Sequence, residues 1–164
     1  MIDIVYCQSR ENLGFHKVLN VKIFNIVEGI SEEKNRKAIE NKQVDILVAP
    51  ERAGKKDSLN QRGSGLNHVL CKLAHENDVA IGFSFSDVLS AKQRSVVLGR
   101  MMQNVRLCKK YKVRMVLASF AQSPWEMRHA YDLLAFGMVL GMTPKEARQA
   151  LNFTKKRQAM KIIK

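Results

Sequence analysis

Apolar and polar positions change period repeatedly along the chain, and each change predicts an element. Ile2-Asp3-Ile4-Val5-Tyr6 alternates and predicts a strand, after which Ser9 is placed to cap a short helix from Arg10 to about Leu19. Val21-Lys22-Ile23-Phe24-Asn25-Ile26-Val27 is rich in β-branched residues and predicts a second strand. Ser31-Glu32-Glu33 opens a helix to about Lys42, with its acids at the positive end of the helix dipole. Val44-Asp45-Ile46-Leu47-Val48-Ala49 is a third strand, ended by Pro50.

Farther along, Leu66, Val69, Leu70 and Leu73 recur at helical spacing, so a helix runs to about Glu76, and Val79 to Phe85 follows as a strand. The longest helix is expected over 91–112. Val97, Leu98, Met101, Val105 and Cys108 share its apolar side, and Lys92, Gln103, Arg106 and Lys110 its polar side. Val113 to Ala118 is the fifth strand. Ser123-Pro124-Trp125-Glu126 and Thr143-Pro144-Lys145-Glu146 both read as capping boxes with proline at the first helical position, and Gly141 as the stop of a helix from about Tyr131 to Leu140.

This alternation predicts a single α/β domain over 1–164 with a parallel sheet, followed from about residue 155 by a basic C-terminal tail. In such sheets the loops after the strands gather on one edge, where ligands bind. The 50–67 loop, Ser84 to Ser90, and Ser119 to Arg128 are therefore expected on one rim. Trp125, beside its capping box, reads as a core or staple residue rather than a base-stacking one.

Charge changes the picture most. The 164 residues carry a formal net charge of +13. Residues 1–51 are near neutral, so the excess lies in the remainder, and no acid falls between Asp87 and Glu126 although eight Lys or Arg do. A solvated surface mixes signs to limit self-repulsion, so this bias favours a polyanionic partner, RNA or DNA. No apolar run approaches the length of a membrane span and no leader pattern opens the chain, so a cytoplasmic protein without membrane contact is expected. Cys7, Cys71 and Cys108 form no motif, and the four histidines show no ligand spacing, so neither a disulfide nor a metal site is expected.

The 52–68 loop combines flexible cations, amide and hydroxyl donors, and glycines, which together suit contact with phosphate and sugar. Gly63-Ser64-Gly65 has two readings, a phosphate cradle or turn glycines entering a helix, and it is not a P-loop, because no Gly-Lys-Ser/Thr follows. His68, at the first turn of its helix, is placed either to donate to a phosphate or to satisfy a carbonyl. Asp57, His68 and Asp87 are the only acid/base grouping near the rim, and no independent catalytic centre is expected.

Lys55-Lys56-Asp57, Ser64-Gly65-Leu66-Asn67-His68-Val69-Leu70-Cys71-Lys72-Leu73-Ala74 and Val79-Ala80-Ile81-Gly82-Phe83-Ser84 closely resemble the archaeal ribonuclease P protein component 3 family. Leu98-Gly99-Arg100-Met101-Met102-Gln103-Asn104-Val105-Arg106-Leu107-Cys108, the Met115 to Arg128 block and Leu133 to Met142 extend the resemblance from about Val44 to Leu151. It implies a TIM-barrel-like subunit that binds the catalytic RNA of ribonuclease P and supports endonucleolytic removal of the 5′ leader from precursor tRNA. It also implies a small partner subunit of RRM-like fold, and Mg2+ serving the RNA with no cofactor held by the protein. Charge, rim position and resemblance together nominate Arg52, Lys55, Lys56, Arg62, His68, Arg100, Arg106, Lys110 and Arg128 as RNA-facing. The N-terminal side is shorter than in the family, so an incomplete or opened barrel of about five or six parallel strands is expected. The alternatives are an autonomous metal-dependent phosphoesterase of related barrel fold, whose His-x-His on the first strand is here replaced by Asp3-Ile4-Val5-Tyr6, and a general module for structured RNA.

Overall fold

In the computed structural model, which describes residues 1–8, 11–53, 56–57, 59 and 62–155, six strands and six α-helices alternate through most of the chain. Lys55, Ser9 and the tail beyond Lys155 lie outside the described residues. Strands β3 (Ile26–Glu28), β4 (Ile46–Val48), β5 (Ala80–Ser84) and β6 (Met115–Ala118) form a parallel sheet in that order, and β1 (Ile2–Val5) pairs in parallel with β2 (Lys17–Asn20). Single bonds join the two sheets at the β1/β6 seam: Phe120 N–H donates to the Ile4 carbonyl, and Tyr6 N–H to that of Ala121, each at 2.9 Å. Buried Asp3 reinforces the seam, one carboxylate oxygen accepting the Ser119 N–H and the other its hydroxyl, both at 2.7 Å. The order β2-β1-β6-β5-β4-β3 is that of an opened barrel, with six strands.

Alternation along the strands sorts the core into two layers. Ile4, Ile46, Val48, Ala80, Val116, Ala118 and Phe120 point inward with Phe24 and Phe153. Leu47, Ile81, Phe83 and Leu117 point outward against the helices, meeting residues such as Cys71, Met101, Val105 and Leu133. The lumen is narrow: a Cβ on Gly82 would stand 2.9 Å from Val48 Cγ2.

Helices α1 (Glu32–Glu40), α2 (His68–Glu76), α4 (Arg94–Tyr111), α5 (Ala130–Val139) and α6 (Pro144–Ala150) follow the expected pattern. Ser31 caps α1, and Thr143 with Glu146 completes a capping box on α6. Gly141, at φ +98°, stops the chain after α5.

Three expectations fail. Residues 11–19, the described part of the helix expected from Arg10 to about Leu19, do not form one helix, because Leu13 and Gly14 adopt positive φ and 17–20 pair with β1 as a strand. The strand expected over 21–27 is a 3-10 turn, Val21–Ile23, capped by the Asn20 side chain, followed by β3; Val21 and Phe24 pack into the lumen instead of joining a ladder. Phe85, expected to end a strand, and residues 86–90, expected as loop, form helix α3 (Phe85–Ser90), capped by Ser84 Oγ, and α4 begins only at Arg94.

Candidate nucleic-acid interface

The descending half of the 50–67 loop is clamped onto α4. Gln103 accepts the Arg62 N–H at 3.3 Å, and its amide donates to the Arg62 carbonyl at 3.1 Å and to Ser64 Oγ at 2.9 Å. One residue on, Asn104 is fully buried and donates to the Ser64 carbonyl at 3.0 Å. From the other side, buried Asn35 of α1 donates to the carbonyls of Pro50 and Gly65. Gly65 has φ +74°, and a Cβ there would lie 1.9 Å from the Pro50 carbonyl oxygen. Conformation and close approach together require glycine. Of the two readings of Gly63-Ser64-Gly65, the turn entering a helix is thus the one built here; the cap of that helix is Asn67, which accepts the Leu70 N–H.

This clamp lays Arg62 across α4. A Cβ on Gly99 would fall 1.4 Å from Arg62 Nη1, so the guanidinium rests on the helix backbone itself. Gly99, Gln103, Arg106 and Lys110 follow at i, i+4, i+7 and i+11, one stripe of the helix about 16 Å long. Arg106 and Lys110 are exposed on it. At the other end of the stripe, Arg62 and exposed Lys56 border a cleft of about 580 Å³ between α1 and the start of α2, shared with Arg36. Glu32 and Glu33 also line that cleft, which tempers its positive field. His68 is exposed as the first residue of α2, at the edge where that helix presents its N-terminus.

Other nominated cations are committed to protein groups. Asp57 accepts the Gly63 N–H at 2.8 Å and pairs with Arg100 at 2.9 Å, and that backbone bond, then the guanidinium, holds its carboxyl below the usual range. Arg100 also donates to the Glu51 carbonyl. Arg52 pairs with Asp87 and, at 2.8 Å, with Glu28, whose other oxygen accepts the Tyr6 hydroxyl at 2.6 Å. Burial and the hydrogen bond to Glu28 raise the Tyr6 phenol above its ordinary value. This network fills the C-terminal mouth of the barrel, the position where barrel enzymes carry their chemistry. Among the described residues, no three or more His, Cys, Asp or Glu side chains converge as a metal-ligand set.

Arg128 lies on the same mouth, 5.5 Å over the Phe85 ring, with Nη1 donating to the carbonyls of Trp125 and Met127. The single expected rim therefore divides. Arg52 and Arg128 belong to the mouth, whereas Lys56, Arg62, Arg100, Arg106 and Lys110 lie on the α4 flank. Asp57, His68 and Asp87 do not form a site either: Asp57 is paired with Arg100 on the flank and Asp87 with Arg52 at the mouth.

Two residues were mis-assigned from sequence. Trp125 is 89% exposed, on a 3-10 turn, Pro124–Glu126, in which Ser123 caps no backbone N–H. Glu126, expected to complete the capping box, instead accepts the Ser86 hydroxyl and the Gln122 N–H, which lower its carboxyl's pKa. Asn104 was passed over, yet its place between Met101 and Cys108, a polar side chain on an apolar stripe, was the signal. Cys71 and Cys108 are buried as expected; burial pushes the Cys71 thiol up to about 11 and Cys108 well above its ordinary value.

Ribonuclease P protein component 3 of Thermococcus kodakarensis is 40% identical over 139 residues, covering 84% of this chain and 60% of that protein. The component 3 of Methanosarcina mazei is 40% identical over 141 residues, covering 85% and 54%. A chain in a cryo-EM structure of archaeal ribonuclease P with mature tRNA has TM-score 0.67 and 32% identity, covering 84% of this chain and 55% of that one. The present chain thus spans somewhat more than half the length of these relatives. Residues 2–158 match the family described as RNase P subunit p30. On that match, and on a fold similar to that of a chain of the archaeal complex, the chain belongs to the RNase P subunit p30 family.

Proposed function

We propose that this chain binds RNA along the α4 flank as a protein subunit of ribonuclease P, supporting endonucleolytic removal of the 5′ leader from precursor tRNA. The observation that carries the reading is the cationic line of Lys56, Arg62, Arg106 and Lys110, carried by α4 and by the loop clamped to it, in a chain of this family. Flexible cations on a fixed support neutralise phosphates while keeping register, and that is how proteins position a nucleic acid without reading its sequence. Lys55, outside the described residues, adjoins Lys56 in sequence and is assigned the same role. His68 adds a donor at the start of α2. Arg100, paired with Asp57, pins the loop that presents the line, whereas Arg52 and Arg128 are engaged at the barrel mouth.

In this reading the RNA supplies the catalytic centre and uses Mg2+, a small RRM-like subunit is the protein partner, and the complex works in the cytoplasm. No helix among the described residues is long and apolar enough to cross a membrane. An autonomous metallo-phosphoesterase needs a converging ligand set at the barrel mouth; there Glu28 and Asp87 are engaged by Arg52, and Asp3 on the first strand is bonded to Ser119 in the seam.

The test is Lys56→Ala with Arg62→Ala, measured by RNA-binding anisotropy across a salt titration. Each lost phosphate contact is expected to reduce the logarithmic salt slope by up to about 0.9, by analogy with duplex DNA. An unchanged slope means solvated side chains. In a reconstituted enzyme at low magnesium, leaving out the chain is expected to lower leader cleavage, and undiminished cleavage excludes the subunit role.

A further inference from the structure

Trp125 is the only tryptophan of the chain, and it is 89% exposed. The turn that carries it is anchored on every side: Glu126 is fixed by the Ser86 hydroxyl and the Gln122 N–H, Met127 is buried, and Arg128 clips the carbonyls of Trp125 and Met127. A well-tied turn that holds an indole out in water presents a flat apolar face ready for a partner. Four residues after Trp125, His129 caps α5 and its ring stacks on Tyr131 at 5.5 Å and 17°, with Tyr131 63% exposed. Aromatic faces thus flank Arg128 on both sides.

The surroundings decide what the faces take. Strand β6 must start at the opposite end of the barrel, so α4, which precedes it, begins near this rim with Lys92 and Arg94 at its entrance. No acidic residue occurs from 88 to 125. Of the acids on this mouth, Glu126 is held by Ser86 and Gln122, and Glu28 and Asp87 are both paired with Arg52, while Asp132 is exposed on the first turn of α5. Exposed aromatics beside cations on an acid-poor surface match an unpaired nucleotide, whose base offers a π face and whose phosphate a charge; a duplex hides its bases in the stack.

We propose that Trp125 is a stacking platform for an unpaired RNA base on the C-terminal rim of the barrel, at a distance along the surface from the phosphate-contacting α4 flank. The inference rests on the RNA-binding reading above, and assigns to this rim the recognition of single-stranded segments. Arg128 acts as a positioning residue that holds the turn.

Because Trp125 is the sole tryptophan, its emission reports on this site alone. Titrating the full chain with an unstructured oligouridylate is expected to quench that emission to saturation, and an RNA duplex of equal length is expected to leave it unchanged. Trp125→Ala is expected to weaken single-strand binding by about 5- to 100-fold with duplex binding unaltered, and Trp125→Phe to retain most of it. The exposure of the side chain leaves the fold unaffected, checked by circular dichroism. If anisotropy shows the oligouridylate bound while emission stays constant and Trp125→Ala binds like wild type, the stacking site is overturned, the indole serves a protein contact, and the flank reading stands. Equal quenching by duplex also overturns it. If neither RNA binds at low salt, the RNA reading itself falls.

Discussion

Glu51 is a carboxyl whose chemistry departs far from that of its surface counterparts. Its side chain is 3% exposed beneath the loop, one oxygen takes the Asn104 amide at 3.3 Å, and the other has no partner; Asn104 Oδ1 is likewise unfilled. Burial, with the charge of Asp87 adding to it, pushes the carboxyl up to about 8, against the weaker opposing pulls of Asn104 and Arg52. At neutral pH it is therefore protonated, and its O–H becomes a donor next to an acceptor that lacks one. The unfolded carboxyl ionises near 4.5 while the folded one keeps its proton to about 8. Over that window the native state holds more protons, so stability declines as pH rises and levels off above it. Glu51→Gln removes the titration, and its denaturant-unfolding stability is expected to lack that decline, a difference of at most about 5 kcal/mol between the ends of the window. Parallel pH profiles for the two proteins would show a Glu51 that is ionised throughout.

At the level of elements, the loop and α4 behave as one unit because Gln103, Asn104 and Gly99 grip residues about forty positions away. Gly99→Ala separates the parts of that grip. Alanine is favoured over glycine in a helix interior by about 1 kcal/mol, and its methyl displaces only the mobile end of Arg62, whose backbone stays bonded to Gln103. The expected result is a melting temperature equal to or above that of wild type, with weaker RNA binding and no further loss on adding Arg62→Ala. Full RNA affinity in Gly99→Ala would remove the Arg62 guanidinium from the interface. Locally coded features were legible in the sequence: the Thr143 capping box, the Gly141 stop and the basic side of 91–112 all depend on residues within one or two turns. The grip was not, since it is made by pairs distant in sequence, and neither was β2, whose strand conformation comes from pairing with β1 against a weak local pattern. Trp125 was misread because Glu126 turned from its expected backbone partner to Ser86, forty residues away.

Across the whole molecule, a net charge of +13 acts on folding and on binding in opposite directions. The acid-poor tract from 88 to 125 concentrates like charges, and their mutual repulsion works against the compact state until salt or a polyanion screens it. Some of the ion pairs that offset the net charge are exposed, such as Arg36–Glu40 and Lys37–Glu33 on α1, and exposed pairs contribute little. Raising sodium chloride from about 50 mM to about 300 mM, over which the Debye length falls well below the roughly 10 Å of 0.1 M salt, is therefore expected to raise the melting temperature of the free protein. The same change releases bound RNA, because phosphate neutralisation by the flank loses its counterion-release drive. At low salt, adding RNA is expected to raise the melting temperature by linkage, and that increment should vanish as salt rises. Differential scanning fluorimetry of the free and RNA-bound chain over the salt series reads both effects at once. A free protein that melts lower as salt rises would mean that its ion pairs outweigh its self-repulsion, and the excess charge would then be balanced within the fold instead of being held for a polyanion.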